Sequence, residues 1–255
     1  MKDAPVRHRL ELLPYLATKR LILSLSHQRV RRYGGALGRL AFRLDRSHRQ
    51  VALANLATVM PQLDEQERSE TVRACFEHFG AAFCEVLSAP RFDRDSILDL
   101  FDLEGEDHLQ WAIDQGRGVL VICGHFGAFQ VSMDPVGIRF GGAHIVARPP
   151  DNPHIAADVQ QARERFGNRQ VSRTGGAHRA LNLIRRKAMV GFLVDQRPPA
   201  GSGIVVPFMG HPARSSPVPA FISIHSGCPA VPLTCWPIAE GRYRLRFSPP
   251  ILPEG

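Results

Sequence analysis

The run Val119-Leu120-Val121-Ile122 leads into Cys123-Gly124-His125-Phe126-Gly127. A short apolar run that stops at a glycine reads as a buried strand presenting a histidine at its carboxyl end. In an open α/β sheet, ligands and chemistry gather at that edge. An imidazole placed there can take a proton from a hydroxyl, because histidine titrates near working pH. Gly124 and Gly127 would let a ligand approach the backbone closely. A helix is expected over 129–138, so free N–H groups and a positive helix end should lie near His125. Downstream, where a carboxylate would suit the ring best, stands Gln130.

Three further stretches carry polar groups at the ends of expected elements. Val190-Gly191-Phe192-Leu193-Val194 runs into Asp195-Gln196, a second strand ending in a polar pair. Asp195 there can orient a base, bind a cation or cap a loop. Arg148 ends another expected strand in Ala147-Arg148-Pro149, a place suited to an anionic substrate group. Arg163 and Arg165 sit on a helix, and ordinary surface charge accounts for at least one of them. Ser215 or Ser216 is placed to cap the next helix and make an anion site. No G-x-S-x-G elbow is present, so serine hydrolysis is set aside. No H-E-x-x-H or clustered ligand set suggests a metal.

The elements that must position these groups follow from periodicity. Residues 1–90 read as helical, with a long helix from Glu65 to about Ser88 opened by Asp64 and stopped by Pro90. Its apolar face is expected to hold Val72, Cys75, Phe76, Phe79, Phe83 and Val86. Beyond Phe101, strands expected at 119–122, 143–147, 189–194, 230–235 and 243–247 alternate with helices at 129–138, 153–166, 176–186 and 217–226. Such alternation predicts an α/β fold: a mixed, mostly parallel sheet flanked by helices, preceded by a helical N-terminal region. The expected division is 1–95, a basic helical region packed on the core, and 96–255, the α/β core. Pro198-Pro199-Ala200-Gly201-Ser202-Gly203 reads as a mobile loop near the working edge.

Charge is concentrated at one end. Residues 1–50 hold twelve Lys or Arg against three acidic residues, a local +9, while the remaining 205 residues carry −1 of the total +8. Among these charges stand Leu10, Leu12, Leu13, Leu16, Leu21, Ile22, Leu23 and Leu25. The mixture points to an amphipathic segment lying on an anionic membrane surface; a solvated helical face and a nucleic-acid arm are the alternatives. The leucine-rich run 10–25 is broken by Pro14, Lys19 and Arg20, so no transmembrane helix or secretory signal is expected. Five cysteines without a C-x-x-C pair argue for a reducing compartment.

At this point the chain resembles a known family. Arg49-Gln50-Val51-Ala52-Leu53-Ala54-Asn55-Leu56, Gly124-His125-Phe126-Gly127, Ala147-Arg148-Pro149, Arg165-Phe166-Gly167, Val194-Asp195-Gln196, Val206-Pro207-Phe208-Met209-Gly210 and Pro229-Ala230-Val231-Pro232 follow one another in a specific order. Together they are similar to the bacterial lipid A biosynthesis acyltransferases, the lauroyl/myristoyl transferase group of the lysophospholipid acyltransferase-like superfamily. The resemblance implies transfer of an acyl chain from an acyl carrier protein or CoA thioester to a hydroxyl of a membrane glycolipid. It implies His125 as base, no metal or redox cofactor, no nucleic-acid partner, and peripheral work at the cytoplasmic face of the inner membrane. Substrate contacts would fall to Arg148, Arg165, Gly124, Gly127, Phe126 and Gln196. The family's H-x4-D/E pattern is broken here by Gln130. Its amide can accept a hydrogen bond but cannot offset an imidazolium, so Asp195, ahead of Asp134, is the expected substitute. The alternative is a catalytically silent relative that binds lipid or acyl donor without turnover. The resemblance implies a further helical segment after the last strands; the sequence stops at Pro253-Glu254-Gly255, as a naturally short protein or an incomplete chain would.

Overall fold

The computed structural model describes residues 4–172, 175–199, 201–238 and 241–254. Lys2 and Asp3 of the basic segment, Ala200 of the proline-rich loop and Gly255 lie outside the described residues. By internal packing the chain forms two units: an α/β unit of residues 1–18, 92–204 and 214–255, and a helical unit of residues 19–91 and 205–213.

Helices α1 (Ala4–Ser24), α2 (His27–Leu44), α3 (Arg46–Val59) and α4 (Glu65–Ser88) account for the N-terminal region. α4 begins in a reciprocal capping box. The Glu67 N–H donates to Asp64 Oδ1 at 2.8 Å, and the Asp64 N–H donates to Glu67 Oε2 at 2.9 Å. Within the helical unit, α2 and α4 cross with their backbones touching. A Cβ on Gly38 would overlap the Phe76 carbonyl, and one on Gly34 or Gly80 would strike the other's carbonyl oxygen. This contact decides which face of α4 is covered. Val72, Ala81, Ala82, Cys84 and Leu87 are buried, whereas Phe79, Phe83 and Cys75 are exposed. The expected aromatic stripe is therefore not the buried one: periodicity located apolar positions, but close backbone approach selects small residues. The buried Glu85 is held by Arg31 at 2.5 Å, as a carboxylate out of water requires. Replacing Gly38 by Ala is expected to destabilise the protein by about 2 kcal/mol through overpacking. A shift in the midpoint of urea unfolding with unchanged slope would register it.

The leucine-rich start of the chain also differs from expectation. α1 does not segregate its apolar and basic residues onto separate faces; α2 does. Leu10, Leu13, Leu16, Leu21 and Leu23 are nonetheless exposed. No described helix is long and apolar enough to cross a membrane.

The α/β unit continues through α5 (Arg94–Leu98), β1 (Phe101–Glu104), α6 (Glu106–Asp114), β2 (Val119–Cys123), α7 (Met133–Phe140), β3 (His144–Ala147), α8 (Pro153–Glu164), β4 (Arg169–Ser172), α9 (Gly176–Arg185) and β5 (Met189–Leu193). After β6 (Ile204–Phe208) and β7 (His211–Ser215), which pair as a hairpin, come α10 (Val218–Ser226), β8 (Ala230–Pro237) and β9 (Tyr243–Phe247). The seven-stranded sheet has the order β1-β9-β8-β2-β5-β3-β4. β8, β2, β5, β3 and β4 are parallel, and β9 with β1 runs the other way. The expected mixed, mostly parallel sheet flanked by helices is what forms.

Both edge strands, β1 and β4, went unrecognised in the sequence. Arg169-Gln170-Val171-Ser172 is too polar to read as a strand, and an edge tolerates that polarity. In the centre the reasoning reverses. β2 and β5 are buried on both faces, which is why they read as unbroken apolar runs. Leu120, Val190, Ala180, Ile184 and Ile222 form a fully buried cluster between these strands and helices α9 and α10. Burial of each large side chain in it contributes about 1.5–3 kcal/mol. This rigid block holds the carboxyl ends of β2 and β5 in place.

Candidate active site

β2 and β5 pair in parallel, with Cys123 opposite Leu193. The Val194 N–H donates to the Cys123 carbonyl at 3.0 Å, extending the pairing one step past the strands. The next residues of the two chains, Gly124-His125 and Asp195-Gln196, therefore meet, although His125 and Asp195 are 70 residues apart in sequence. Asp195 grips His125 twice. Its Oδ2 accepts the His125 backbone N–H at 2.7 Å, and its Oδ1 lies 2.8 Å from the ring Nδ1. An ionised carboxylate only accepts, so Nδ1 carries the proton and Nε2 presents its lone pair. Gln196 Nε2 stands 3.3 Å from that His125 Nε2, an amide N–H pointing at the lone pair. The Phe129 ring meets the imidazole edge-on at a centroid distance of 4.8 Å. The pair is open to solvent on one side, with side chains 28 % and 42 % exposed.

The two glycines also have packing reasons of their own. A Cβ on Gly124 would lie 3.2 Å from Asp195 Oδ2, so the missing side chain lets the carboxylate close over the backbone. Gly127 has φ +57°, and a Cβ there would fall inside the Cys235 carbonyl oxygen of β8. That same oxygen accepts the Ala128 N–H at 2.9 Å, pinning the loop after His125 to the sheet. Gly127→Ala is expected to cost about 3 kcal/mol, from left-handed strain and overpacking together. Thermal unfolding of the purified variant checks it.

The remaining expected residues divide. Arg148, Gln130 and Gln196 line a cavity of about 730 Å³ that His125 also lines. Gln130 is not the ring's partner: among the described residues, Asp195 and Gln196 take its two nitrogens. The helix expected from 129 begins only at Met133, so Gln130 lies in the turns before α7. Phe126 points outward, 60 % exposed, and neither it, Gly124, Gly127 nor Arg165 lines the cavity. Arg165 is turned inward. It pairs with the buried Asp134 at 2.8 Å, donates to the Phe92 carbonyl and lies over the Phe166 ring. Burial pushes the Asp134 carboxyl above its ordinary range, against the pull of Arg165. Arg163 is also partly buried and donates to Gln170, so neither arginine is ordinary surface charge. Arg148 does stay at the surface, paired with an equally exposed Asp151, an ion pair worth little. The α10 N-cap is Pro217 without a side-chain cap bond; Ser216 Oγ accepts the Val218 N–H at a long 3.4 Å.

Much of the cavity lining comes from residues the sequence did not single out, Phe129, Met133, Ile145, Val146, Phe192, Leu193 and Val218; Pro198, Pro199 and Ser202 of the loop expected near the working edge line it too. Their apolar character was visible, but burial in a core and exposure to an internal cavity leave the same signal. Cys123 also faces the cavity, and burial with the nearby Asp195 charge pushes its thiol up to about 12. It stays protonated and is no nucleophile at neutral pH. Among the described residues no three His, Cys, Asp or Glu side chains gather to hold a metal.

Fold and site together define a class: an α/β protein whose histidine, paired with a carboxylate, lines a largely apolar cavity at the carboxyl edge of its sheet. Comparison with known proteins makes this specific. Residues 7–253 match the model of the bacterial lipid A biosynthesis acyltransferases, and the chain belongs to that family. It is 24 % identical to the phosphatidylinositol mannoside acyltransferase of Mycolicibacterium smegmatis over 93 % of this chain and 78 % of that one. It is 29 % identical to the lipid A biosynthesis lauroyltransferase of Escherichia coli, over 53 % of this chain and 44 % of the relative. The palmitoleoyltransferase of the same organism is 29 % identical over 64 % of this chain and 53 % of its own length. The chain thus spans about half the length of the two Escherichia coli relatives in these matches.

Proposed function

We propose that the protein transfers a fatty acyl chain from a thioester to a hydroxyl of a membrane glycolipid, with His125 as general base. The observation that carries this is the Asp195 carboxylate 2.8 Å from Nδ1 of His125, a ring that lines an apolar cavity large enough for an acyl chain. His125 Nε2 takes the proton of the acceptor hydroxyl as its oxygen attacks the thioester carbonyl. Asp195 holds the ring in the required tautomer and balances the imidazolium. The Gln196 amide, nearest to Nε2, swings from the lone pair to the tetrahedral oxyanion. Collapse of that intermediate breaks the C–S bond, and the departing thiolate recovers the proton from His125. Arg148 at the rim would meet an anionic group of donor or acceptor. These steps call on no metal or redox group, and the donor is a thioester of acyl carrier protein or CoA.

The acceptor class follows the family, whose named members act on lipid A and on phosphatidylinositol mannoside. The basic residues 1–50, with their exposed leucines, support work on an anionic membrane surface, taken here as the cytoplasmic face of the inner membrane. The silent-relative alternative rests on Gln130; a carboxylate within hydrogen-bond reach of Nδ1 favours the enzyme over it. Purified protein supplied with labelled acyl carrier protein and CoA thioesters and with glycolipid acceptors is expected to transfer label. Gln130→Glu should change the rate less than about tenfold, since Nδ1 is already served. Absence of transfer from every donor in both forms would sink the assignment.

A further inference from the structure

Gly191 stands in the middle of β5, and among the described residues no other strand of the large sheet contains a glycine. A glycine inside a strand weakens it, and often marks a place where a ligand comes close. The other reasons for glycine are missing here. Its φ is not in the left-handed region, and no backbone presses on it. The Cβ it lacks would meet a single atom within 4 Å, Met133 Cε at 3.9 Å. Contrast Gly34, Gly38 and Gly80, where a side chain would strike backbone. Position 191 therefore has room for a side chain, and that room belongs to the cavity, which both Gly191 and Met133 line.

The register locates this spot. Gly191 lies level with Val121 and Ile145, deeper in the sheet than the Cys123–Leu193 level that leads to the His125–Asp195 pair. Four residues separate Gly191 from Asp195, about 13 Å along a strand. Ile145, Met133 and Leu193 line the same cavity with apolar atoms. A chain held with its carbonyl at His125 and running down this face would end near Gly191.

We propose that Gly191 and the Met133 side chain facing it set the length of acyl chain the protein accepts. This rests on the acyl-transfer reading of the same site. A side chain at 191 shortens the channel, whereas trimming the flexible Met133 lengthens it. Valine suits a strand at 191, and Met133→Ala changes the same channel without touching β5, so the idea does not depend on one variant folding.

The test is displacement of a fluorescent fatty acid by saturated acyl-CoAs from octanoyl to stearoyl, with transfer measured in parallel using the same thioesters. Gly191→Val is expected to lower the ratio of palmitoyl to decanoyl affinity by about tenfold or more, Gly191→Ala by less, and Met133→Ala to raise it. An unshifted ratio in both Gly191→Val and Met133→Ala, or equal loss at every length, would overturn the proposal and leave acyl transfer standing. A shifted ratio without any transfer would support the length determinant and overturn the enzymatic reading. Failure of every acyl-CoA to displace the probe from the wild type would overturn both.

Discussion

An Asp195→Asn variant is expected to keep its fold and lose transfer by about 10⁴-fold, the scale seen when the orienting acid of a catalytic triad becomes an amide. The reason lies in the double grip. Both carboxylate oxygens of Asp195 accept from His125, one from the backbone N–H and one from Nδ1. An asparagine has one acceptor oxygen. If that oxygen takes the backbone N–H, its NH2 faces Nδ1 and forces the proton onto Nε2, removing the lone pair that serves as base. If it takes Nδ1–H instead, NH2 meets a backbone N–H and two donors collide. Either outcome spoils the ring's tautomer or its position. Single-turnover transfer with a saturating thioester separates this from weakened binding, because kcat should collapse while the affinity for acyl donor holds within about tenfold. A loss of less than tenfold in kcat would show that Asp195 only caps the loop.

The second large effect is expected for His125→Ala: a fall in transfer on the order of 10⁴-fold or more, since the group that accepts the acceptor proton is gone. Phe129, Met133, Ile145 and Leu193 still line the cavity in this variant, so fatty-acid binding should persist. The double variant with Asp195→Asn should be scarcely worse than His125→Ala alone, because Asp195 is argued to act through the ring. Additive losses would assign Asp195 a separate role and break the pairing proposed here.

How far the residues spoke for themselves depends on what each had to signal. The central strands were legible because β2 and β5 are covered on both faces and read as apolar runs. The N-cap of α4 was legible because its chemistry is local, Asp64 accepting from the Glu67 N–H; the reciprocal bond to the Glu67 side chain came only with the structure. The edges were not: β4 is polar where an edge permits it. Gly124 and Gly127 were visible as glycines, but their neighbours, Asp195 and the Cys235 carbonyl, come from other strands. The start of α7 was misplaced because the Ala128 N–H is taken by β8, a partner outside the local window.

For the candidate site, local chemistry and strand position, strengthened by family resemblance, brought His125, Asp195 and Gln196 forward as residues worth pairing. Side-chain type and position at a strand end are properties of short segments, so the chain alone carries them. Only the tertiary structure decided which nitrogen meets which oxygen, that Gln130 looks into the cavity while Asp195 serves the ring, and that Arg165 is spent on Asp134. It also decided that an unremarkable glycine in β5 lines the cavity, with only Met133 Cε near its missing side chain. These are matters of register and of packing between elements dozens of residues apart. A one-residue slip between β2 and β5 would leave every local signal unchanged and separate His125 from its carboxylate.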